Sequence, residues 1–354
     1  MVGAVDAGKL FVVDATAVGD DFAFLGARGR ERLCLRWFDA DREREKRLRV
    51  IRSGEMPREL ATARGGIIFT GFRERQGTEP WRSDGTRART KLIREIHGGR
   101  QSGICTPPGS PCPTFPAGSD PRAFVSIGRT TYFTANHPEY GLELWRTNGR
   151  RAGTRLVNDT HPGPESGLAF AEGSLVEFDG GLYFAADDGR HGYELWRSDG
   201  TRAGTRMVRD LGPRWSVAWW AKPVVAGDYL YFVARGKDAG LELWRTDGTR
   251  KRTQLVRDIW PGPKASTPED LTAVADELYF TAKDPDHGRE LWRTDGTRKG
   301  TALVSDLSPG RKSSLLGDLV GSGDTLYFTA WSKVGELDHA RSLWRTTDTE
   351  QVVE

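Results

Sequence analysis

No apolar run in this chain approaches 18 residues, so the sequence holds no transmembrane helix. Cysteine is scarce, three in 354 residues. Cys105 and Cys112 share one Pro/Gly-rich loop, ICTPPGSPCP, and their seven-residue separation fits a small disulfide ring. Cys34 lies in an apolar strand-like run and reads as a buried thiol. No His or Cys pair nearby completes a zinc set, and a disulfide pin favours an oxidising compartment. Net charge is nearly absent: 52 basic and 49 acidic side chains leave +3. Charges this balanced and evenly spread describe a solvated surface rather than a nucleic-acid footprint. The one basic cluster, Arg42 to Arg49, is interrupted by Glu43 and Glu45. Catalytic signatures are missing too: there is no GxSxG elbow, no P-loop, no GxGxxG opening a helix and no HExxH. No signal peptide follows Met1, which fits a mature fragment given a start codon.

What the chain does have is a repeat. LWR or PWR recurs at Trp81, Trp145, Trp196, Trp244, Trp292 and Trp344, in steps of 64, 51, 48, 48 and 52 residues. A seventh, eroded copy centres on Trp37, within LRWFDAD. A period near 50 residues decides the fold before any local reading does. The unit is clearest in 276–310. There an apolar run, Leu278 to Ala282, has the β-branched and aromatic content of a strand. A polar loop follows, then the alternating Glu290 to Thr294, a tight turn at Asp295 and Gly296, and a strand from Ala302 to Val304. Apolar content of 37% is low for a helical globule and suits such two-faced strands.

Four strands, A to D, fit each of seven units, so the expected fold is all-β, a seven-bladed β-propeller of four-stranded antiparallel blades. The whole of 1–354 reads as one such domain, with blades near 9–54, 57–120, 121–170, 172–214, 221–264, 270–310 and 314–354. Residues 97–120, with five prolines and the cysteine pair, form an irregular insertion. An open solenoid is the competing reading, but solenoids need capping ends and the terminal repeats here are still strands. The chain starts on strand A and ends on strand D, so closure needs either a register shifted by one strand or side-chain packing alone.

The pattern resembles the bacterial ELWxxDGT-repeat proteins. ELWRTNGRRAGT (143–154), ELWRSDGTRAGT (194–205), ELWRTDGTRKRT (242–253) and ELWRTDGTRKGT (290–301) carry it almost unchanged. The copies at 80–90 and 343–350 are weaker. The resemblance implies an exported bacterial protein, secreted or held at the cell surface or in the periplasm, of a kind common in myxobacteria. It attaches no activity, so no catalytic residue carries over. The DGT turn is also similar to the Asp box of sialidase-type propellers. That likeness makes Asp84, Asp199, Asp247 and Asp295 structural, tying the C–D hairpin through backbone N–H groups. The repeated Trp reads as an inter-blade packing residue, and the Arg after it as the partner of an Asp such as Asp258 or Asp306.

A–B and C–D turns are short and uniform, whereas B–C and D–A loops vary, which points to the B–C/D–A face as the place for function. Five tryptophans outside the repeat fall in or near it: Trp215, Trp219, Trp220, Trp260 and Trp331. They read either as an aromatic platform for sugars or a protein partner, or as plugs between blades. His191 and His287 lie in acidic B–C loops, where calcium or a transition metal is the optimistic reading and turn capping the plain one. The first functional expectation is therefore an exported, monomeric binding or scaffold protein facing a glycan or a protein, without nucleic acid, membrane insertion or a required cofactor. The alternative is a glycoside hydrolase or lyase that gathers carboxylates from several blades. A third is a structural module in a surface assembly.

Overall fold

The computed structural model describes residues 10–28, 34–42, 44–50, 59–102, 114–169, 174–212, 217–218, 220–334, 338–346 and 352–353. The chain is all-β, and its seven four-stranded antiparallel sheets make it a seven-bladed β-propeller. Every blade uses four consecutive strands. The first is Leu10–Val18, Asp21–Arg28, Cys34–Asp39 and Arg44–Val50; the last is Leu316–Ser322, Thr325–Val334, Asp338–Thr346 and Val352–Val353. The strand labels read from the sequence therefore need no shift, and among the described residues each of these two sheets is built from four consecutive strands.

One register runs through the copies. The B-strand Phe stands opposite the C-strand Trp in six blades: Phe69 and Trp81, Phe133 and Trp145, Phe184 and Trp196, Phe232 and Trp244, Phe280 and Trp292, Phe328 and Trp344. Directly opposed aromatic rings on one sheet face are a cross-strand pairing that fixes register, because a one-residue slip would turn every such ring over. The C–D ladder carries a register shift at the Trp in blades 3, 4 and 6. In blade 1 the pattern differs from the sequence reading. Phe24 stands opposite Arg36, so Trp37 is one position out of step with the other tryptophans and lies on the opposite sheet face. Arg36, at the Trp position, is buried and paired with Glu45. The insertion at 97–120 is not wholly irregular either, since Arg100–Ser102 and Thr114–Pro116 pair as a short antiparallel ribbon.

The chain's contacts group into two compact units, 1–177 with 200–205, and 178–199 with 206–354. In the first, Leu25, Leu35 and Trp37 of blade 1 pack against Ile67, Phe69 and Trp81 of blade 2. In the second, Tyr231 and Leu243 of blade 5 meet Leu278, Phe280 and Trp292 of blade 6, and Tyr279 and Leu291 of blade 6 meet Leu326 and Phe328 of blade 7. The repeat tryptophans of blades 2 to 6 are all buried in such layers. At about 150–250 Å² per ring, each contributes several kcal/mol of burial.

The C–D turns are held by their own side chains. Asp84 Oδ1 accepts the Thr86 N–H at 3.1 Å and its hydroxyl at 2.7 Å; Asp247 does the same with Thr249 at 2.9 and 2.7 Å; Asp295 accepts the Thr297 N–H at 2.7 Å. Asp199 occupies the same turn position in blade 4. Threonine pairs close the hairpin behind it, as between Thr246 and Thr253 at 2.7 Å and between Thr294 and Thr301 at 2.7 Å.

Candidate functional site

The loop face is organised by a residue the sequence reading passed over, the Glu of ELW. Strand alternation puts it on the same sheet face as the Trp two residues on, so the fold carries it inward. Glu79, Glu143, Glu194, Glu242 and Glu290 are all 0% exposed. A buried carboxylate needs donors, and these come from the D–A loop of the same blade. Glu242 accepts the N–H groups of Ile259 at 3.2 Å, Trp260 at 3.4 Å and Ser266 at 2.9 Å, and the Ser266 hydroxyl at 2.5 Å. Glu290 accepts Leu307 N–H at 3.2 Å, Ser314 N–H at 3.0 Å and the Ser314 hydroxyl at 2.6 Å. Glu79 accepts from Ile96, His97 and Ser119, Glu143 from His161 and Gly167, and Glu194 from Leu211. The donors lie 17 or 18 residues after the Glu, and again 24 after it in blades 3, 5 and 6. That spacing is visible in the sequence as Ser266 and Ser314, each 24 residues beyond its Glu.

Each Glu thus fixes the backbone of a loop that sequence variability suggested was free to adapt. The charge is costly there. Burial pushes the Glu143 and Glu290 carboxyls up to about 7, helped by the neighbouring charges of Asp159 and Asp306 and opposed by the N–H bonds. Glu79 and Glu242 are also raised, again by burial first.

His191 and His287 occupy equivalent positions in the B–C loops of blades 4 and 6, each in an Asp-x-x-His turn. Asp188 Oδ1 accepts the N–H groups of Arg190 and His191 at 3.0 Å, and its Oδ2 meets His191 Nδ1 at 2.9 Å. Asp284 repeats this with Asp286 N–H at 2.8 Å, His287 N–H at 2.7 Å and His287 Nδ1 at 2.8 Å. The Asp bonds raise both imidazoles above the ordinary His value, and the hydrogen bonds donated to the two Asp carboxyls outweigh burial and lower them. In blade 3 the same two positions hold His137 and Tyr140, which stack at 4.6 Å. The turn therefore accepts either an ion pair or two rings. Among the described residues no group of three or more potential metal ligands is brought together.

The off-pattern tryptophans part company. Trp215, Trp219 and the pair Cys105 and Cys112 lie outside the described residues. Trp220 is 62% exposed. It sits beside a segment pinned by Val217 N–H to Tyr193 O and Ala218 N–H to Val233 O, both at 2.9 Å. Trp260 rides on the loop that Glu242 holds, and the Lys264 ammonium lies 5.4 Å from its ring centre. Trp331 is not in a loop: it belongs to the B strand Thr325–Val334, opposite Arg341.

The arginine after the repeat Trp has a different partner from the expected Asp258 or Asp306. Arg82, Arg146 and Arg197 reach instead the turn-Gly carbonyl of the following blade, at Gly149 (3.1 Å), Gly200 (2.8 Å) and Gly248 (3.5 Å). A long side chain on the outer sheet face spans to the neighbouring turn, whereas Asp258 and Asp306 are spent on their own loops, accepting Gly262 N–H at 3.1 Å and Gly310 N–H at 3.3 Å.

No protein-family model and no curated protein sequence matches this chain. Its fold does match solved structures. A prolyl endopeptidase, studied for the role of inter-domain dynamics in catalysis and specificity, aligns at 12% identity over 98% of this chain and 49% of its own, with a TM-score of 0.51. A puromycin-hydrolysing peptidase of Mycobacterium tuberculosis aligns at 15% identity over 98% and 52%, TM-score 0.46. The β-propeller domain of the trilobed protease of Pyrococcus furiosus aligns at 10% identity over 95% and 92%, TM-score 0.44. The chain spans about half the length of the first two, and at these identities the likeness is one of fold. It nonetheless corrects the functional expectation. A binding scaffold facing a glycan or protein, with a glycosidase or lyase as its alternative, gives way to a fold shared over nearly the whole chain with half of a prolyl endopeptidase.

Proposed function

We propose that this chain is the propeller part of a peptide-processing enzyme, selecting the peptides that reach a separate hydrolytic domain rather than cleaving them. The observation that carries the reading is the alignment of 98% of this chain with 49% of a prolyl endopeptidase. The loop face supports it. Five buried glutamates each hold the D–A loop of their own blade, and the two histidines are committed to their own turn carboxylates. Loops that are already ordered suit selection by size and shape, since they lose little entropy of their own when a peptide binds. The repeat resemblance adds a second part to the proposal, that the protein is an exported bacterial one, and the seven-residue spacing of Cys105 and Cys112 fits their being joined.

Fluorescence anisotropy with labelled Pro-containing decapeptides tests this, with a labelled oligosaccharide of similar mass as comparison. Saturable peptide binding is expected with a Kd of roughly 10–100 μM, about −6 kcal/mol, and mass spectrometry should recover the peptide intact. Peptide binding no tighter than the sugar's overturns the reading; cleavage by this chain alone overturns the division of labour.

A further inference from the structure

The first unit contains a cleft that the repeat closes everywhere else it is described. In each C–D turn a glycine at positive φ faces the preceding blade, and a ring normally sits against it. A Cβ built on Gly85 would lie 2.9 Å from the Trp37 ring; on Gly200, 2.1 Å from Tyr132 Oη; on Gly248, 2.2 Å from Tyr183 Oη; on Gly296, 2.6 Å from Tyr231 Oη. At Gly149 the nearest atom is Arg82 Nη1, 3.6 Å away. The sequence explains the gap. Ile68 stands opposite Arg82 as Tyr132, Tyr183 and Tyr231 stand opposite Arg146, Arg197 and Arg245, so blade 2 has lost the tyrosine.

Two positions earlier the residue varies among the blades: Thr130 in blade 3, Gly181 in blade 4 and Thr325 in blade 7. Blade 5 places Tyr229 there, 3.9 Å from the Arg245 guanidinium, and blade 6 places Glu277, 3.5 Å from Arg293. Blade 2 has Gly66. Its φ of +146° and a Cβ position only 2.0 Å from Ser83 O keep any side chain out. The loss of the ring leaves an open cleft of about 70 Å³ with Ile68 on one wall.

Its charge is also unlike that of the later blades. Arg64 and Arg129 line the cleft from A–B turns, where blades 4 to 7 carry Asp179, Asp228, Asp276 and Asp324. Both are exposed and have no ion pair among the described residues. Arg82 is the third guanidinium, and the one lining carboxylate, Asp84, is engaged by Thr86 and by Arg89 at 3.2 Å. Three guanidinium groups around an apolar wall select an anion, and planar forks suit a carboxylate.

We propose that this cleft binds a small carboxylate bearing one aromatic ring, the ring taking the place of the absent tyrosine and the carboxylate meeting Arg129 and Arg64. The chemistry belongs equally to a free aromatic acid and to the C-terminal residue of a peptide. The proposal is independent of the reading of the loop face.

Isothermal titration with 4-hydroxybenzoate, N-acetylphenylalanine and the uncharged p-cresol tests it. One or both acids should bind saturably, with p-cresol at least tenfold weaker and the acids weakening as salt rises. The acid that binds names the source. Ile68→Tyr restores the residue the repeat uses and should abolish binding; Arg129→Ala, on an exposed turn, should weaken it at least fivefold. Far-UV circular dichroism checks that both variants keep the fold. The proposal is overturned if neither acid binds, if p-cresol binds as well as they do, or if a folded Ile68→Tyr or Arg129→Ala variant binds like the parent.

Discussion

Removing the Glu290 carboxylate should loosen one loop before it weakens anything else. Glu290→Ala leaves three buried or half-buried donors, Leu307 N–H, Ser314 N–H and the Ser314 hydroxyl, without their acceptor. At about 1–3 kcal/mol for each unsatisfied buried group, the cost is about 3–6 kcal/mol, allowing for some relaxation. Glu290→Gln keeps one oxygen for the Ser314 pair but turns an NH₂ toward Leu307 N–H, so about 1–3 kcal/mol is expected at pH 5. The pH dependence separates the two effects. Burial raises the folded carboxyl to about 7 from 4.5, so the folded state holds its proton where the unfolded chain has lost it. Stability is then greatest below pH 4.5 and declines as pH rises toward 7, by about 3 kcal/mol at 1.36 kcal/mol per pH unit. The Gln variant has no proton to lose and should lack that part of the decline. Urea unfolding from pH 4.5 to 8 measures the slope, and amide exchange at Leu307 and Ser314 reads the loop directly. An Ala variant within 1 kcal/mol of the parent, with unchanged exchange at both amides, would refute the account of the loop lock.

Two further outcomes follow from the same geometry. Trp292→Ala should cost about 3–5 kcal/mol in urea unfolding, because the ring is 5% exposed between Phe280 and the neighbouring blade's Leu243 and Tyr231. A cost below 1 kcal/mol would show that the layer collapses around the gap. His287 should titrate in an NMR pH series above the ordinary value of 6.5, and Asp284→Asn should bring it back down. Its bond to Asp284 contributes stability that is fully present below pH 6.5 and lost as pH rises through the raised value, so a His287 that titrates below 6.5 would contradict the ion pair.

The fold was legible because the repeat states it seven times. The Phe and Trp positions, the DGT turns and the alternation of ELWRT each imply strand, turn and register locally, and the period multiplies a weak signal. Blade 1 was misread by one position, since its single Trp invited alignment with the others. Only the B–C register shows that Arg36, not Trp37, stands opposite Phe24. The arginine partners were misread for a related reason: charge complementarity suggested an Asp within the blade, whereas a guanidinium can equally satisfy a backbone carbonyl of the next one.

The site was less legible, and the two features that matter most are of opposite kinds. The ELW glutamate was passed over as one polar member of an alternating strand, and Glu is almost never fully buried without partners. Its partners are backbone N–H groups, which no side-chain pattern announces. The cleft at Gly149, by contrast, was legible in principle. In a repeat protein a position can have a house residue, and Ile68 breaks the pattern where the later blades keep a tyrosine. Loss of one ring would be a tolerable repacking. Loss of the ring together with arginine on both flanking turns, where blades 4 to 7 carry aspartate, is a coordinated change in shape and charge that packing alone does not require. The off-pattern tryptophans stood out in the sequence because they add something rare; the cleft did not, because it is made of things taken away. In an array of near-identical blades, a position where the repeat omits what it elsewhere supplies says more about function than one where it adds a large residue, since each omission leaves a defined space with a known occupant to imitate.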